Sequence, residues 1–135
     1  MGWTDNLFTG IHEIDLQHQV LFDIVARLEQ AVTLDDKWSA VHFALVELTN
    51  FANVHFAVEE SLMRLHCYPE LEAHIADHKM FSTVLAEIKK HSIREDVSAE
   101  MTKWLNHWLV NHIGVTDHAY VPHLRTAAIV NTPHG

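Results

Sequence analysis

The sequence has a single cysteine in 135 residues, Cys67, which excludes an internal disulfide and a cysteine-based zinc site and is compatible with a reducing compartment. It is also short of positive charge. Nine Lys and Arg stand against 18 Asp and Glu, a formal net charge of −9, and no basic run breaks the pattern. Nucleic acid and anionic membrane are poor partners for such a surface. No apolar stretch approaches the roughly 18 residues of a spanning helix. Met1-Gly2-Trp3-Thr4-Asp5 lacks the basic start and apolar core of a signal peptide, and Asn6 stands where a myristoylation signal has Ser or Thr. These absences lead to the expectation of a cytoplasmic protein. With no fixed-period repeat and no low-complexity linker, one domain spanning residues 1–135 is expected.

What the chain has in excess is histidine: 13 residues, dispersed rather than gathered in a tag. The apolar fraction, 48%, is ordinary for a folded domain able to bury a core. Dispersed histidine points to metal or proton chemistry wherever several share one face.

Helical periodicity places them. Residues 1–14 read as an extended arm that Trp3, Phe8 and Ile11 pack onto the body. A helix over about 15–33, with Asp15 as N-cap, carries the stripe His18, Leu21, Val25, Leu28 and Val32. Asp35-Asp36 mark the next turn and cap. A second helix over about 37–65 aligns Val41, Leu45, Leu48, Ala52, His55, Glu59 and Leu62. Tyr68-Pro69-Glu70 opens a third over about 69–91, with Pro at its first position, aligning Leu71, His74, His78, Phe81, Leu85 and Ile88. Arg94-Glu95-Asp96 is a charged turn. A fourth helix over about 98–118 carries Met101, Leu105, Trp108, His112 and then Val115 or Thr116. The tail, residues 120–135, is less regular, with Leu124 to Val130 docking on the body. Four amphipathic helices with short turns imply an all-α, antiparallel up-down-up-down bundle.

That topology brings the starts of helices one and three to the same end as the finishes of helices two and four. His18, His55, Glu59, His74, His78, His112 and Asp117 then fall within roughly 5–15 Å of that end, at about 1.5 Å per residue. Burying two carboxylates and five imidazoles without a partner costs several kcal/mol or more, and metal is the partner that suits them. His12, His42, His66, His91, His107, His118, His123 and His134 lie off the shared stripe or in turns and read as surface residues. Glu60 points about 100° away from Glu59 and reads as solvated or as support to a ligand. His112 and Asp117, five residues apart, are separated by about 140° on a regular helix. Both reach one site only if the helix widens between them, which Gly114 makes cheaper, so an irregular turn is expected there.

Five imidazoles and two carboxylates are too many for one tetrahedral ion and too nitrogen-rich for calcium or magnesium. They suit two first-row ions bridged by the carboxylates, iron first and zinc as the rival on affinity. Oxidase and ferritin-like bundles use Glu-x-x-His pairs. No Glu here has His three residues on, and there is no His-Glu-x-x-His motif. A histidine-rich set donates less negative charge than a carboxylate-rich one, which favours reversible oxygen binding over oxygen activation.

The residues also carry a resemblance. Gly10-Ile11 with Asp15-Leu16-Gln17-His18, His55-Phe56-Ala57-Val58-Glu59-Glu60 with Met63, His74-Ile75-Ala76-Asp77-His78, and Trp108-Leu109-Val110-Asn111-His112-Ile113 with Asp117 and Tyr120 are similar to the bacterial hemerythrins, over residues 3 to about 124. The resemblance implies a non-haem di-iron centre that binds O2. His74, His78 and His112 would hold one iron, and His18 and His55 the other. Glu59, Asp117 and a solvent-derived oxo or hydroxo group would bridge them, and Phe56, Trp108, Leu109 and Ile113 would line an O2 pocket. It leaves open whether binding serves storage, delivery or sensing. It also leaves open whether the centre instead works as an enzyme on O2, peroxide or nitric oxide. A monomer that acts with an oxygen-consuming or signalling protein is the expected assembly.

Overall fold

The computed structural model describes residues 7–34, 38–94 and 99–122. Four helices follow in order, α1 (His12–Ala31), α2 (Trp38–Leu65), α3 (Leu71–Arg94) and α4 (Ala99–Asn111), all joined by short connections into the expected bundle. The apolar stripes explain the packing. Leu21, Val25 and Leu28 of α1, Val41, Leu45, Leu48 and Ala52 of α2, Phe81, Leu85 and Ile88 of α3, and Leu105, Trp108 and Leu109 of α4 form one buried cluster. A second, smaller cluster of Met63, Tyr68, Tyr120 and Val121, with Ile11, Leu62 and Leu71 against it, closes the other end. The polar members of the stripes lie on the helices between these two clusters. Among the described residues, no helix is long and apolar enough to cross a membrane.

Three local expectations are corrected. α1 begins at His12, with Ile11 as N-cap and no capping side chain, so Asp15 is not the cap. Its carboxylate instead accepts hydrogen bonds from the Thr9 backbone N–H and hydroxyl at 2.8 and 2.7 Å and from the Gly10 N–H at 3.1 Å. That anchors the arm, in which Leu7 and Thr9 are buried among the described residues, whereas Phe8, expected to pack there, is 44% exposed. Pro69 lies in the turn two residues before α3 rather than at its first position. Of Val115 and Thr116, either of which was expected to continue the fourth stripe, Val115 faces solvent, because it lies within the widened turn His112–Asp117 that follows α4. Trp3, the Asp35-Asp36 pair, Glu95, Asp96 and the stretch from Leu124 to Val130 lie outside the described residues.

The reversal after α2 has an identifiable lock. Tyr68 N–H reaches back to the Met63 carbonyl at 2.9 Å and Cys67 N–H to the Arg64 carbonyl at 3.2 Å, the paired bonds of a Schellman C-cap. Its left-handed position, φ 55°, is filled by Cys67 rather than glycine. Met63 and Tyr68 pack in the same small cluster, the apolar contact that accompanies this motif. An L-residue there costs about 1 kcal/mol or more. Cys67→Gly is therefore expected to stabilise the protein by about 1 kcal/mol, read as a higher denaturant midpoint. A lower midpoint would mean that the Cys67 side chain contributes more than its backbone costs.

Candidate metal centre

All seven predicted polar residues come together in the layer between the two apolar clusters. His18, His55, Glu59, His74, His78, His112 and Asp117 are each at most 2% exposed. Each helix supplies them for a periodic reason. His55 and Glu59 are one turn apart on α2, and His74 and His78 one turn apart on α3, so each pair projects from one face. His112 and Asp117 need the widening, and the chain makes it: His112–Asp117 is a π-helical turn, after which residues 118–122 resume the α-helix. One extra residue in the turn turns a five-residue spacing into a shared face.

Two sets of ligand atoms form within 4.8 Å of one another. One is Glu59, His74, His78, His112 and Asp117; the other is His18, His55, Glu59 and Asp117. Both contain the same two carboxylates. The Asp117 oxygens lie 2.9 Å from Nε2 of His18, His74 and His112, and Glu59 Oε1 and Oε2 lie 3.1 and 3.3 Å from Nε2 of His78 and His55. Donor atoms at about 2.1 Å from one first-row ion, at right angles, are about 3.0 Å apart. The same separations would suit hydrogen bonds, and His78 and Glu59 make one, but for most of the others the angles do not. Neither Asp117 oxygen, nor Nε2 of His55 or His74, makes one. Buried polar atoms that approach this closely without bonding to each other are aimed at points between them. The residues present fit a pair of bridged cations.

Electrostatics supports this. Burial alone would push the Glu59 and Asp117 carboxyls up, and the Glu59 charge raises Asp117 further. The imidazoles of His55, His112 and His18 beside Glu59, and those of His112 and His18 beside Asp117, nevertheless hold both well below the usual carboxylate range. Burial also works against an imidazolium at His18, yet the adjacent Asp117 carboxylate and the hydrogen-bonded Glu59 outweigh it and raise the group to about 9. His112 is likewise held well above its ordinary value, burial being overcome by Asp117, Asp77 and Glu59. The cluster requires positive charge, and protons supply it where metal does not. Tyr120 stays neutral, since burial and the nearby Glu59 and Asp117 push its phenol far up; its OH donates to Glu59 Oε2 at 2.7 Å.

The imidazoles are oriented from outside. Nδ1 of His55 donates to Gln17 Oε1 at 2.6 Å, Nδ1 of His78 to Glu60 Oε2 at 2.8 Å, and Nδ1 of His112 to Asp77 Oδ2 at 2.5 Å. Glu60 thus supports a ligand candidate rather than standing in solvent. The roles of Gln17, Asp77 and the Tyr120 hydroxyl were missed by periodicity. Their signal was adjacency, since Gln17 precedes His18 and Asp77 precedes His78. His118 contacts the Ile113 carbonyl at 2.6 Å and the Phe8 carbonyl at 3.1 Å, tying the π turn to the arm. Phe56 stacks on His78 and Trp108 on His112, with ring centroids 3.9 and 4.3 Å apart, and Leu109 and Ile113 complete the same buried cluster.

The family model for the hemerythrin HHE cation binding domain matches residues 9–124. A bacteriohemerythrin of Stenotrophomonas maltophilia (strain R551-3) is 35% identical over 124 residues, covering 91% of this chain and 80% of its own. One from Methylococcus capsulatus (strain Bath) is 32% identical over 125 residues, covering 90% and 95%. The crystal structure of a wild-type hemerythrin superposes with a TM-score of 0.85 at 31% identity, covering 92% of this chain and 97% of that one.

Each cation held at about 100-fold above its dissociation constant is worth about 2.7 kcal/mol of stability. Stripping the metal with a chelator is therefore expected to lower the thermal midpoint by roughly 10 °C or more for a domain of this size. Differential scanning calorimetry of loaded and stripped protein checks this; coincident midpoints would count against a buried cation pair.

Proposed function

The chain belongs to the hemerythrin family, whose domain binds O2 at a di-iron centre, and from that premise we propose that O2 is here a reversibly held ligand and not a substrate. The observation that carries the proposal is the pair of buried donor sets, rich in imidazole and sharing only two carboxylates. His74, His78 and His112 would hold one iron and His18 and His55 the other, with Glu59 and Asp117 common to both. When bound, the iron pair supplies the electrons that O2 binding requires and takes them back on release.

The chain's own residues do the rest. Five neutral imidazoles against two carboxylates keep the donor set low in negative charge, which disfavours the high oxidation states that oxygen activation needs. The set with two imidazoles offers one donor residue fewer, four against five, and so leaves room for an external ligand. Phe56, Trp108, Leu109 and Ile113 are the apolar wall we assign to the O2 pocket; all are nearly or fully buried. Such a wall keeps water from the site and slows loss of the bound ligand in reduced form, as peroxide, which would leave the iron pair oxidised. Tyr120 donates a hydrogen bond from its hydroxyl to Glu59 Oε2 and fixes that carboxylate's orientation. All seven residues come from one chain, so a monomer completes the site, and a reversible binder of this kind serves storage, delivery or sensing for an oxygen-consuming or signalling protein. The exposed, unpaired Cys67 suits a cytoplasmic location.

Reduced protein is expected to gain a visible absorption band when argon is replaced by air, and to lose it when argon returns. One-way oxidation without a lasting adduct, or sustained turnover of peroxide or nitric oxide, would overturn the assignment as a binder. Opening the wall with Leu109→Ala or Ile113→Ala is expected to shorten the lifetime of the air-exposed form, at about 2–5 kcal/mol of stability. An unchanged decay rate in both would remove these residues from the pocket.

A further inference from the structure

The outward nitrogens of the centre's imidazoles are not treated alike. In the set containing His74, His78 and His112, two of the three imidazoles donate from Nδ1 to carboxylates, His78 to Glu60 and His112 to Asp77. In the set containing His18 and His55, His55 donates to the neutral amide of Gln17, and the buried Nδ1 of His18 has no hydrogen-bond partner. A carboxylate that accepts from Nδ1–H draws the proton outward and makes Nε2 a stronger donor; an amide does so far less. It also places a negative charge directly behind the ligand. Both effects favour a cation at the first set and are missing at the second, which also has one donor residue fewer.

We propose, on the reading that both sets hold ions, that the two positions are unequal and fill in order. The set with His74, His78 and His112 takes its ion first and retains it. The set with His18 and His55 fills second and exchanges, with Gln17 as the positioning residue that keeps it the weaker of the two. Less negative charge at that position also favours the lower oxidation state of its ion, the state to which a reversible O2 binder must return. Gln17 orients His55 as firmly as a carboxylate would, at 2.6 Å, without adding that charge.

The test is calorimetric titration of metal-free protein with Fe(II) under argon. Wild type is expected to show two steps of one equivalent each. Asp77→Asn should weaken the tighter step by about 10–100-fold and leave the looser one in place. Gln17→Glu should do the opposite kind of thing, tightening the looser step by about tenfold and lowering the midpoint potential of the loaded protein. A merely structural role for Gln17 would not produce a gain. Gln17 is only partly buried, so Glu is accommodated there, and this variant carries the test alone if Asp77→Asn does not fold. A single step of two equivalents, an effect of Asp77→Asn on the looser step, or unchanged affinities in Gln17→Glu overturns the inequality. Uptake of fewer than two ions by wild type would instead overturn the two-ion reading beneath it.

Discussion

Glu59 and Asp117 lie side by side in the bundle interior, both fully buried, and neither can stay ionised there without positive charge against it. Every other part of the centre follows from that requirement. Five imidazoles surround the two carboxylates because imidazole can take a proton or expose a lone pair to a cation. The apolar clusters on either side remove the water that would otherwise solvate the charge. The same burial makes the site expensive when empty and strong when filled: the low polarizability that penalises an unpaired carboxylate magnifies its attraction to a bound ion. A bundle with this layer is thus a weaker fold on its own than its two apolar clusters would make, and it depends on what the layer binds.

Asp117 reaches its place only through the π turn. A regular helix carrying His112 inward would turn Asp117 about 140° aside, and the second shared carboxylate would be lost. The widening is in turn held by contacts outside the centre. His118 spans the Ile113 carbonyl inside the turn and the Phe8 carbonyl of the arm, while Asp15 gathers the arm at Thr9 and Gly10. The arm therefore stands close, in contact terms, to the second shared carboxylate. A segment that periodicity reads as mere packing helps hold the geometry of the metal layer.

Much of this was legible in the sequence because the responsible signals are periodic or local. The stripes on α1 to α3 identify the core and five of the seven polar residues directly, since a spacing of three and four has one meaning on a helix. The π turn was legible as a conflict, two needed residues at a spacing that a regular helix cannot use. Asp15 was misread because a side chain before an apolar stripe looks the same whether it caps the helix or anchors the strand before it; which backbone N–H groups it meets depends on where the arm folds back. Cys67 in a left-handed turn position has no signature at all, since the residue expected there is glycine. Gln17, Asp77 and the Tyr120 hydroxyl stayed hidden for a different reason. Periodicity says which face of a helix a residue occupies, but not which imidazole on the neighbouring helix lies opposite.

Those hidden partners follow a rule once the helices are assembled. Gln17, beside His18 on α1, holds His55 on α2; Glu60, beside Glu59 on α2, holds His78 on α3; Asp77, beside His78 on α3, holds His112 at the start of the π turn that continues α4. Each of α1, α2 and α3 thus turns a residue to the centre and that residue's sequence neighbour to an imidazole on the element that follows. The step from α4 back to α1 is the one that fails: the residue after Asp117 is His118, already engaged with the π turn and the arm, and the buried Nδ1 of His18 is left without a partner. The break coincides with the distortion that brings Asp117 in. The widening that supplies the second shared carboxylate is paired with the loss of the fourth support, so the set containing His18 is the less firmly held of the two by the same backbone feature that joins them.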